Sequence, residues 1–252
     1  MYQEERLIQI MRYLEEHHRI SVDEICDQLA VSRDTARRDL VKLEEQKAIV
    51  RTRGGAILPS RHQEVLDYSR RLQTVSDEKK QIGELAASLI QQGDTIILDA
   101  STTVQACANA MSQRSVNVMT NSIHQAEILS SKPEVDIQLL GGLLQKEHGF
   151  LYGTSVIERL RQFHVKKAFI GVVGLSERGL TIAHEEDGMV KRNMIQQAEQ
   201  VIVLADHTKI GETELFRFAE LKDVDLIITD QVPSEEFQTV LKREQVELMV
   251  TP

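Results

Sequence analysis

The sequence predicts an α/β chain in two parts: a small helical bundle closed by a β-hairpin, then a larger doubly wound domain on a mostly parallel sheet. Three observations predict it. Apolar residues recur at helical spacing from Glu4 to Leu43. A Gly-Gly pair, Gly54-Gly55, then splits two short β-type runs. From Thr95 onward, short apolar runs alternate with helical patterns, as parallel strands joined by helices do. With 252 residues, 41% of them hydrophobic, the chain is long and apolar enough to fill two cores.

The first helix runs from Glu4 to His17 with Leu7, Ile10, Met11 and Leu14 on one face, and a second from about Ser21 to Leu29 turns Val22, Ile25 and Leu29 inward. After a break at Ala30 and Val31, Ser32 stands where an N-cap belongs, and Val31 and Ala36 bracket it as a hydrophobic staple. Ala36, Leu40 and Leu43 form the buried stripe of this third helix, so Arg38 points nearly away from the core and Arg37 flanks it. "AIVRTRGGAIL", Ala48 to Leu58, reads as strand, turn and strand with Arg51 and Arg53 beside the turn.

Charge agrees with that arrangement. Val31 to Leu58 holds seven Lys/Arg against four Asp/Glu, a local excess of cations on a chain of net charge -9. A solvated helix face would account for the charge alone. Two short helices, a capped cationic helix and a hairpin, in that order, are a winged helix-turn-helix, which needs cations to meet a polyanion. The third helix fits a major groove, its N-terminal side chains reach base edges, and the hairpin arginines meet phosphates or a minor groove. The expected DNA-binding set is Ser32, Arg33, Thr35, Arg37, Arg38, Arg51, Arg53, Gly54 and Gly55.

Residues 59–75 are charged and weakly periodic and read as a linker, leaving 1–58 for the DNA-binding domain and 76–252 for the second. There a helix from Glu78 to Ile90 precedes strands at Thr95–Leu98, Val116–Thr120, Ile137–Leu140, Ala168–Val173, Val201–Ala205, Leu226–Thr229 and Glu247–Val250. Ligands of such sheets bind at the carboxyl ends of the strands. Four of those ends are polar: "DASTT" with Asp99, Ser101, Thr102 and Thr103; "TNS" with Thr120, Asn121 and Ser122; the glycines Gly141 and Gly142; and "ADHTK" with Asp206 and Lys209. Hydroxyls and free N–H groups at a helix start suit a phosphate, and a lysine after a strand adds a cation. Each motif has a plain structural reading as well, a capped helix or a tight turn. Together they point to an anionic, hydroxylated ligand.

Other classes fit poorly. The N-terminus "MYQEERL" is charged where a signal peptide is apolar, and no run reaches the ~18 apolar residues of a membrane span. The expectation is a soluble, cytoplasmic protein with no membrane partner, Cys26 and Cys107 being reduced core thiols. No metal or cofactor is expected, since the histidines, His17-His18 included, form no ligand set and no G-x-G-x-x-G follows the first strand.

"RLIQIMRYLEEHHRISVDEICDQLAVSRDTARRDLVKLEEQKAIVRTRGGAIL", with its S-x-x-T-x-R-R-D-L core, resembles the winged helix-turn-helix of the DeoR family of bacterial sugar-metabolism repressors. The resemblance implies that Asp39 orients an arginine or caps an interaction rather than touching DNA. It extends to the family's sensor domain, whose fold is similar to sugar-phosphate isomerases and CoA transferases, through Asp99, Thr102, Thr103, Thr120, Asn121, Gly141, Gly142, "HEEDGMVKR" and "ADHTKIG". It also implies that Arg71 and Lys79 report effector occupancy to the DNA-binding half, where the alternative is solvated linker charge, and that Glu185 or Asp187 accepts sugar hydroxyls. The sequence departs from the family at Ser101, usually glycine, where a side chain crowds the phosphate loop or adds a donor.

The expected function is that of a repressor of carbohydrate-metabolism genes at the bacterial nucleoid. It would bind operator double-stranded DNA as a homo-oligomer, dimer or tetramer, and respond to a phosphorylated sugar, a hexose phosphate such as glucose 6-phosphate. The competing reading is an active sugar-phosphate isomerase tethered to a DNA-binding module, with Glu185, Asp187 or Asp99 as its base.

Overall fold

The computed structural model describes residues 3–17, 19–45, 48–52, 54–57, 77–112 and 115–252. The chain divides into two compact units, Met1–Val65 and Leu66–Pro252. The expected linker, with Arg71, and the hairpin residue Arg53 lie outside the described residues.

In the first unit α1 (Gln3–His17), α2 (Val22–Leu29) and α3 (Arg33–Glu45) pack around Leu7, Ile10, Leu14, Ile25, Leu40 and Leu43. Full burial of each such side chain contributes about 1.5–3 kcal/mol. Ser21 and Glu24 form a capping box at the start of α2, and Ala30, left-handed at φ 51°, ends that helix and turns the chain into α3. Val31 and Ala36, the expected staple, both join the core.

The hairpin strands β2 (Val50–Thr52) and β3 (Gly55–Ile57) gain a partner that periodicity did not reveal. β1 (Arg19–Ser21) pairs antiparallel with β3, giving the order β1-β3-β2. Three residues are too few to display alternation. Gly55 is a strand residue rather than part of the turn, and a Cβ on it would lie 2.1 Å from the Ile20 carbonyl, so glycine is what lets β3 approach β1.

The second unit carries a seven-stranded sheet in the order β15-β14-β12-β9-β4-β5-β6, with every pairing parallel. Its strands are β4 (Thr95–Leu98), β5 (Val116–Thr120), β6 (Val135–Leu139), β9 (Val165–Gly171), β12 (Ala198–Leu204), β14 (Leu226–Thr229) and β15 (Glu247–Val250). Side chains alternate between two cores. Ile96, Leu98, Phe169 and Ile202 face α4 (Asp77–Ser88), α5 (Thr102–Ala110) and α6 (Ile123–Ser130). Ile97, Ala168, Ile170 and Val203 face α7 (Thr154–Leu160), α8 (Glu185–Gln196) and α9 (Glu235–Arg243).

Strands β6, β9 and β12 begin before their expected first residues, because their openings are polar. Lys167, the third residue of β9, is buried and bonds Asp94 at 2.5 Å. That ion pair and the Gln91 N–H hold the Asp94 carboxyl below the ordinary carboxylate range, against the desolvation that would raise it. Two antiparallel pieces replace expected helix or loop: a ribbon of β7 (Leu143–Gln145) and β8 (Phe150–Tyr152), and a sheet of β10 (Gly174–Ser176), β11 (Gly179–Ile182) and β13 (Phe216–Ala219). Cys107 is fully buried, which pushes its thiol up to about 12, whereas Cys26 is only part-buried. Among the described residues, no helix is long and apolar enough to cross a membrane.

Candidate functional site

On the first unit, α3 is fixed to the bundle through a buried charge. Asp39 has no exposed surface and accepts from Arg6 Nε at 2.7 Å, Arg6 Nη2 at 3.0 Å and Gln3 Nε2 at 3.0 Å, all from α1. The arginine it orients therefore belongs to α1, and α3 gains a tie that leaves its outer face open. At its start Ser32 Oγ accepts from the Thr35 N–H at 3.2 Å and meets Thr35 Oγ1 at 2.9 Å.

Four expected DNA-contacting arginines are described, and they differ in occupancy. Arg33 pairs with Asp23 at 2.6 Å and Arg51 approaches Glu44 at 3.8 Å, both at the surface. Exposed pairs of this kind are worth about 0–1 kcal/mol, so exchange for a phosphate costs little. Arg37 and Arg38 are exposed and form no ion pair among the described residues. A groove of about 470 Å³ runs between α3 and the hairpin, lined by Arg33, Arg37, Arg51, Thr52, Gly54 and Gly55. Gly54 holds the turn at φ 106° and its carbonyl accepts from Val22 N at 2.8 Å, joining the hairpin to α2.

In the second unit the chain leaves β4 toward β5 and β6, then returns to lay β9 on the other side of β4. Strand order reverses there, and a crevice opens at such a point. Asp99 lies at it, fully buried. Its carboxylate accepts from the Ser101 N–H at 2.8 Å, from the Gly171 N–H at 2.7 Å and from the Lys191 ammonium. Lys191, only 2% exposed, also donates to the Gly171 carbonyl at 3.0 Å and stands 4.0 Å from Asp187. The ends of β4 and β9 and the helix α8 thus meet at one buried ion pair.

Ser101 caps α5 through the Val104 N–H at 3.2 Å. Its side chain fills the space above Gly171, where an added Cβ would stand 2.1 Å from Ser101 Oγ and 2.3 Å from Ser101 Cβ. Thr102 and Thr103 open the helix, so their N–H groups have no acceptor within it. Lys79, from the first turn of α4, brings its ammonium to 3.5 Å from Thr102 Oγ1. Orphan donors, the positive helix end and a lysine therefore converge on one loop.

The β5 end is tied to the same loop. Thr120, Asn121 and Ser122 are all fully buried. Thr120 Oγ1 accepts from the Ser122 N–H at 3.0 Å, and Ser122 caps α6 through Gln125. The Gln125 side-chain amide then donates to the Asp99 carbonyl at 2.6 Å and the Ser101 carbonyl at 3.2 Å. The Asn121 amide donates to the Leu151 carbonyl at 3.1 Å, while its Oδ1 is buried without a partner among the described residues. A buried carbonyl of that kind costs about 1–3 kcal/mol until a donor reaches it. Nearby, burial holds the His124 imidazole below its ordinary value, against Glu127, which raises it.

Other expected residues separate by what holds them. Gly141 is open, but a Cβ on Gly142 would meet the Tyr152 carbonyl and Val156 Cγ2, each at 2.5 Å, so Gly142 serves the packing of β8 and α7. Asp206 caps the single turn His207–Lys209 through the Thr208 N–H at 3.0 Å and the Thr208 hydroxyl. Lys209 is part-exposed and forms no ion pair among the described residues. In the first turn of α8, Glu185 is exposed whereas Asp187 is buried facing Lys191.

The sequence reading overlooked three residues: Lys191, Gly171 and Gln125. Lys191 lay inside the "HEEDGMVKR" stretch but resembles an ordinary surface partner of Asp187 four positions earlier. Gln125 carried a legible signal, the S-x-x-Q spacing of a capping box. Nothing local marks Gly171, whose partner is distant in sequence.

The contact between Ser101 and Gly171 gives a direct test. Gly171→Ala is expected to destabilise the protein by about 1–3 kcal/mol through overpacking. Ser101→Gly, which as a cap change alone costs a few tenths of a kcal/mol, is expected to recover most of that loss in the double variant. Additive effects in a denaturant-unfolding cycle would show that the two residues do not share this space.

A model of the DeoR-like helix-turn-helix domain matches residues 6–62, and one of the DeoR C terminal sensor domain matches residues 74–231. The HTH-type transcriptional repressor GlcR of Bacillus subtilis (strain 168) is 63% identical over 251 residues, covering 100% of this chain and 97% of that protein. The glycerol-3-phosphate regulon repressor of Haemophilus influenzae (strain ATCC 51907 / DSM 11121 / KW20 / Rd) is 31% identical, over 99% of this chain and 98% of that protein. Its namesake in Escherichia coli (strain K12) is 29% identical, over 98% and 99%. Both modules are therefore matched in order on one chain, along nearly the whole length of these relatives, and the chain belongs to the DeoR family of transcriptional regulators.

Proposed function

We propose that the protein is a transcriptional repressor of carbohydrate-metabolism genes, acting in the bacterial cytoplasm, whose grip on operator DNA is set by a phosphorylated sugar in the second unit. The observation that carries this reading is α3. It is anchored inward by the buried Asp39–Arg6 pair and presents Arg37 and Arg38 outward without ion-pair partners among the described residues. A helix so arranged has a rigid back and two uncommitted guanidinium groups for phosphates and guanine edges. The names of the relatives support it, one a repressor and two repressors of a glycerol-3-phosphate regulon. One winged module covers too little surface for tight specific binding, so two or more copies acting together, as dimer or tetramer, belong to the reading.

In the second unit the phosphate would sit on the Thr102 and Thr103 N–H groups beside Lys79, and a sugar hydroxyl would donate to Asn121 Oδ1. Glucose 6-phosphate fits both needs and is the first candidate. Asp99 is committed to Lys191, Ser101 and Gly171, which argues against its use as an isomerase base. Thermal unfolding with a panel of sugar phosphates and the matching free sugars tests the site. A ligand of the folded state at ~100 times its dissociation constant adds about 2.7 kcal/mol, a clear rise in midpoint. A rise with phosphorylated sugars alone supports the reading; equal response to free sugars, or none to any phosphate, removes it.

Lys209→Ala is expected to blunt the effector response while basal operator binding stays. Coupling energies of about 1–3 kcal/mol correspond to roughly 5- to 150-fold changes in affinity, and much of that range should disappear. An unchanged sugar-phosphate affinity in calorimetry would dismiss the assignment.

A further inference from the structure

Eight large apolar side chains are exposed among the described residues, and three of them, Leu139, Leu143 and Leu144, fall within six positions of the chain. Leu139 ends β6, the edge strand of the seven-stranded sheet. Leu143 and Leu144 are consecutive in β7, so their side chains leave opposite faces of the ribbon, yet they are 65% and 43% exposed. Neither face of β7 is fully covered. Its pairing partner is β8 alone, and β8 in turn docks inward, with Phe150 bridging Ser122 and the Leu151 N–H bonding the Asn121 carbonyl at 2.7 Å. The outer edge of β7 therefore presents backbone donors and acceptors between two leucines.

Soluble proteins guard such edges with charge, proline or a covering element. Here the stretch Leu139–Gln145, LLGGLLQ, has no charged residue and no proline in a chain whose composition is 27% charged. A patch made only of side chains would suit many apolar partners; an open edge flanked by leucines calls for another strand. We propose that this strand is β7 of a second copy, running antiparallel about Leu144, the centre of the strand. The register is self-complementary, as a two-fold interface requires. Leu143 comes opposite Gln145 of the partner, and Lys146 opposite the partner's Gly142, so no charge meets its like. A partner bearing charges on its edge would gain nothing from this surface. Pairing makes one four-stranded ribbon from two and sets Leu144 beside the partner's Leu144 on one face and Leu143 beside the partner's Gln145 on the other. This names the surface behind the homo-oligomer of the proposed function, and it rests on that reading.

Sedimentation velocity of the full chain at micromolar concentration tests it, comparing the natural protein with Leu143→Asp/Leu144→Asp. Both positions are exposed, so the variant is expected to unfold in one cooperative transition, lowered only by what dissociation removes, while its mass falls to half that of the natural protein. A variant that keeps the full mass overturns the β7 surface and leaves the oligomer intact. A natural protein sedimenting as a single chain overturns both. If the variant shows no cooperative transition, oxidation of Leu144→Cys in a Cys26→Ser background decides. Facing strand residues stand about 4.5–5.5 Å apart at Cα, within reach of a disulfide. A covalent dimer on a non-reducing gel sustains the pairing, and a single-chain band refutes it.

Discussion

Arg38→Ala is expected to lower operator affinity by roughly 5- to 150-fold, the equivalent of about 1–3 kcal/mol for one bidentate base contact, and Arg37→Ala/Arg38→Ala to abolish specific binding altogether. Both arginines are exposed on α3, Arg38 away from the stripe of Ala36, Leu40 and Leu43 that fills the bundle core and Arg37 flanking it. Removing them therefore opens no cavity and breaks no ion pair among the described residues, and thermal stability should change by no more than about 0.5 kcal/mol. Asp39→Ala provides the contrast. It leaves Arg6 and Gln3 without their shared acceptor and should weaken the bundle, so its loss of DNA binding would come with a lowered midpoint. The measurement is fluorescence anisotropy with operator and scrambled duplexes at two salt concentrations. An arginine that reads a base lowers affinity for the operator more than for the scrambled duplex; one that meets phosphate lowers both and flattens the salt dependence. Full operator affinity in the double variant would remove α3 from the recognition surface.

How much of the fold and the site is legible in the sequence depends on how far apart the interacting residues are. The three helices of the bundle, their inward stripes and the cap at Ser32 rest on contacts within a few positions, and periodicity recovers these. The parallel strands are legible because each is an apolar run and helices separate most of them, although β9 and β12 conceal their polar openings, Lys166-Lys167 and Glu199-Gln200. Short antiparallel pieces escaped because three-residue strands such as β1 and β7 carry no period. In the second unit, strand ends located the polar residues, since that follows from topology alone. Whether a given group is free or committed did not follow. Asp99 and Thr120 read as ligand groups and prove to be tied into the buried network; Asn121 has the same burial and keeps one oxygen open. Asp99 is committed by Gly171, 72 positions away, and by Lys191, 92 positions away, whereas Thr120 is held by the Ser122 N–H two positions on.

Lys191→Met is expected to cost about 3–5 kcal/mol, the range for removing one partner of a buried ion pair, and to lower the midpoint by on the order of 10 °C. Methionine nearly preserves the volume of the stem, so the cost arises from charge. Asp99 keeps the N–H groups of Ser101 and Gly171 but loses its cation in a place with no access to water, and Asp187 loses the ammonium 4.0 Å away. Neutralising the partner should then help: Asp99→Asn/Lys191→Met is expected to recover part of the stability, because the fully buried carboxylate at the β4 end is gone and only Asp187 has lost the Lys191 ammonium. Recovery of stability need not bring recovery of function. In the double variant the α5 loop has lost the carboxylate that receives both the Ser101 and the Gly171 N–H, while α8 is no longer joined to it, so the sugar-phosphate response should stay weak in a folded protein. Urea unfolding of the three variants, with calorimetry of the ligand identified by the thermal panel, separates the two effects. A double variant as unstable as Lys191→Met would mean that the stem of Lys191, rather than its charge, holds α8 against the sheet. One that regains stability and binds its effector normally would show that the ion pair supports the fold without shaping the site.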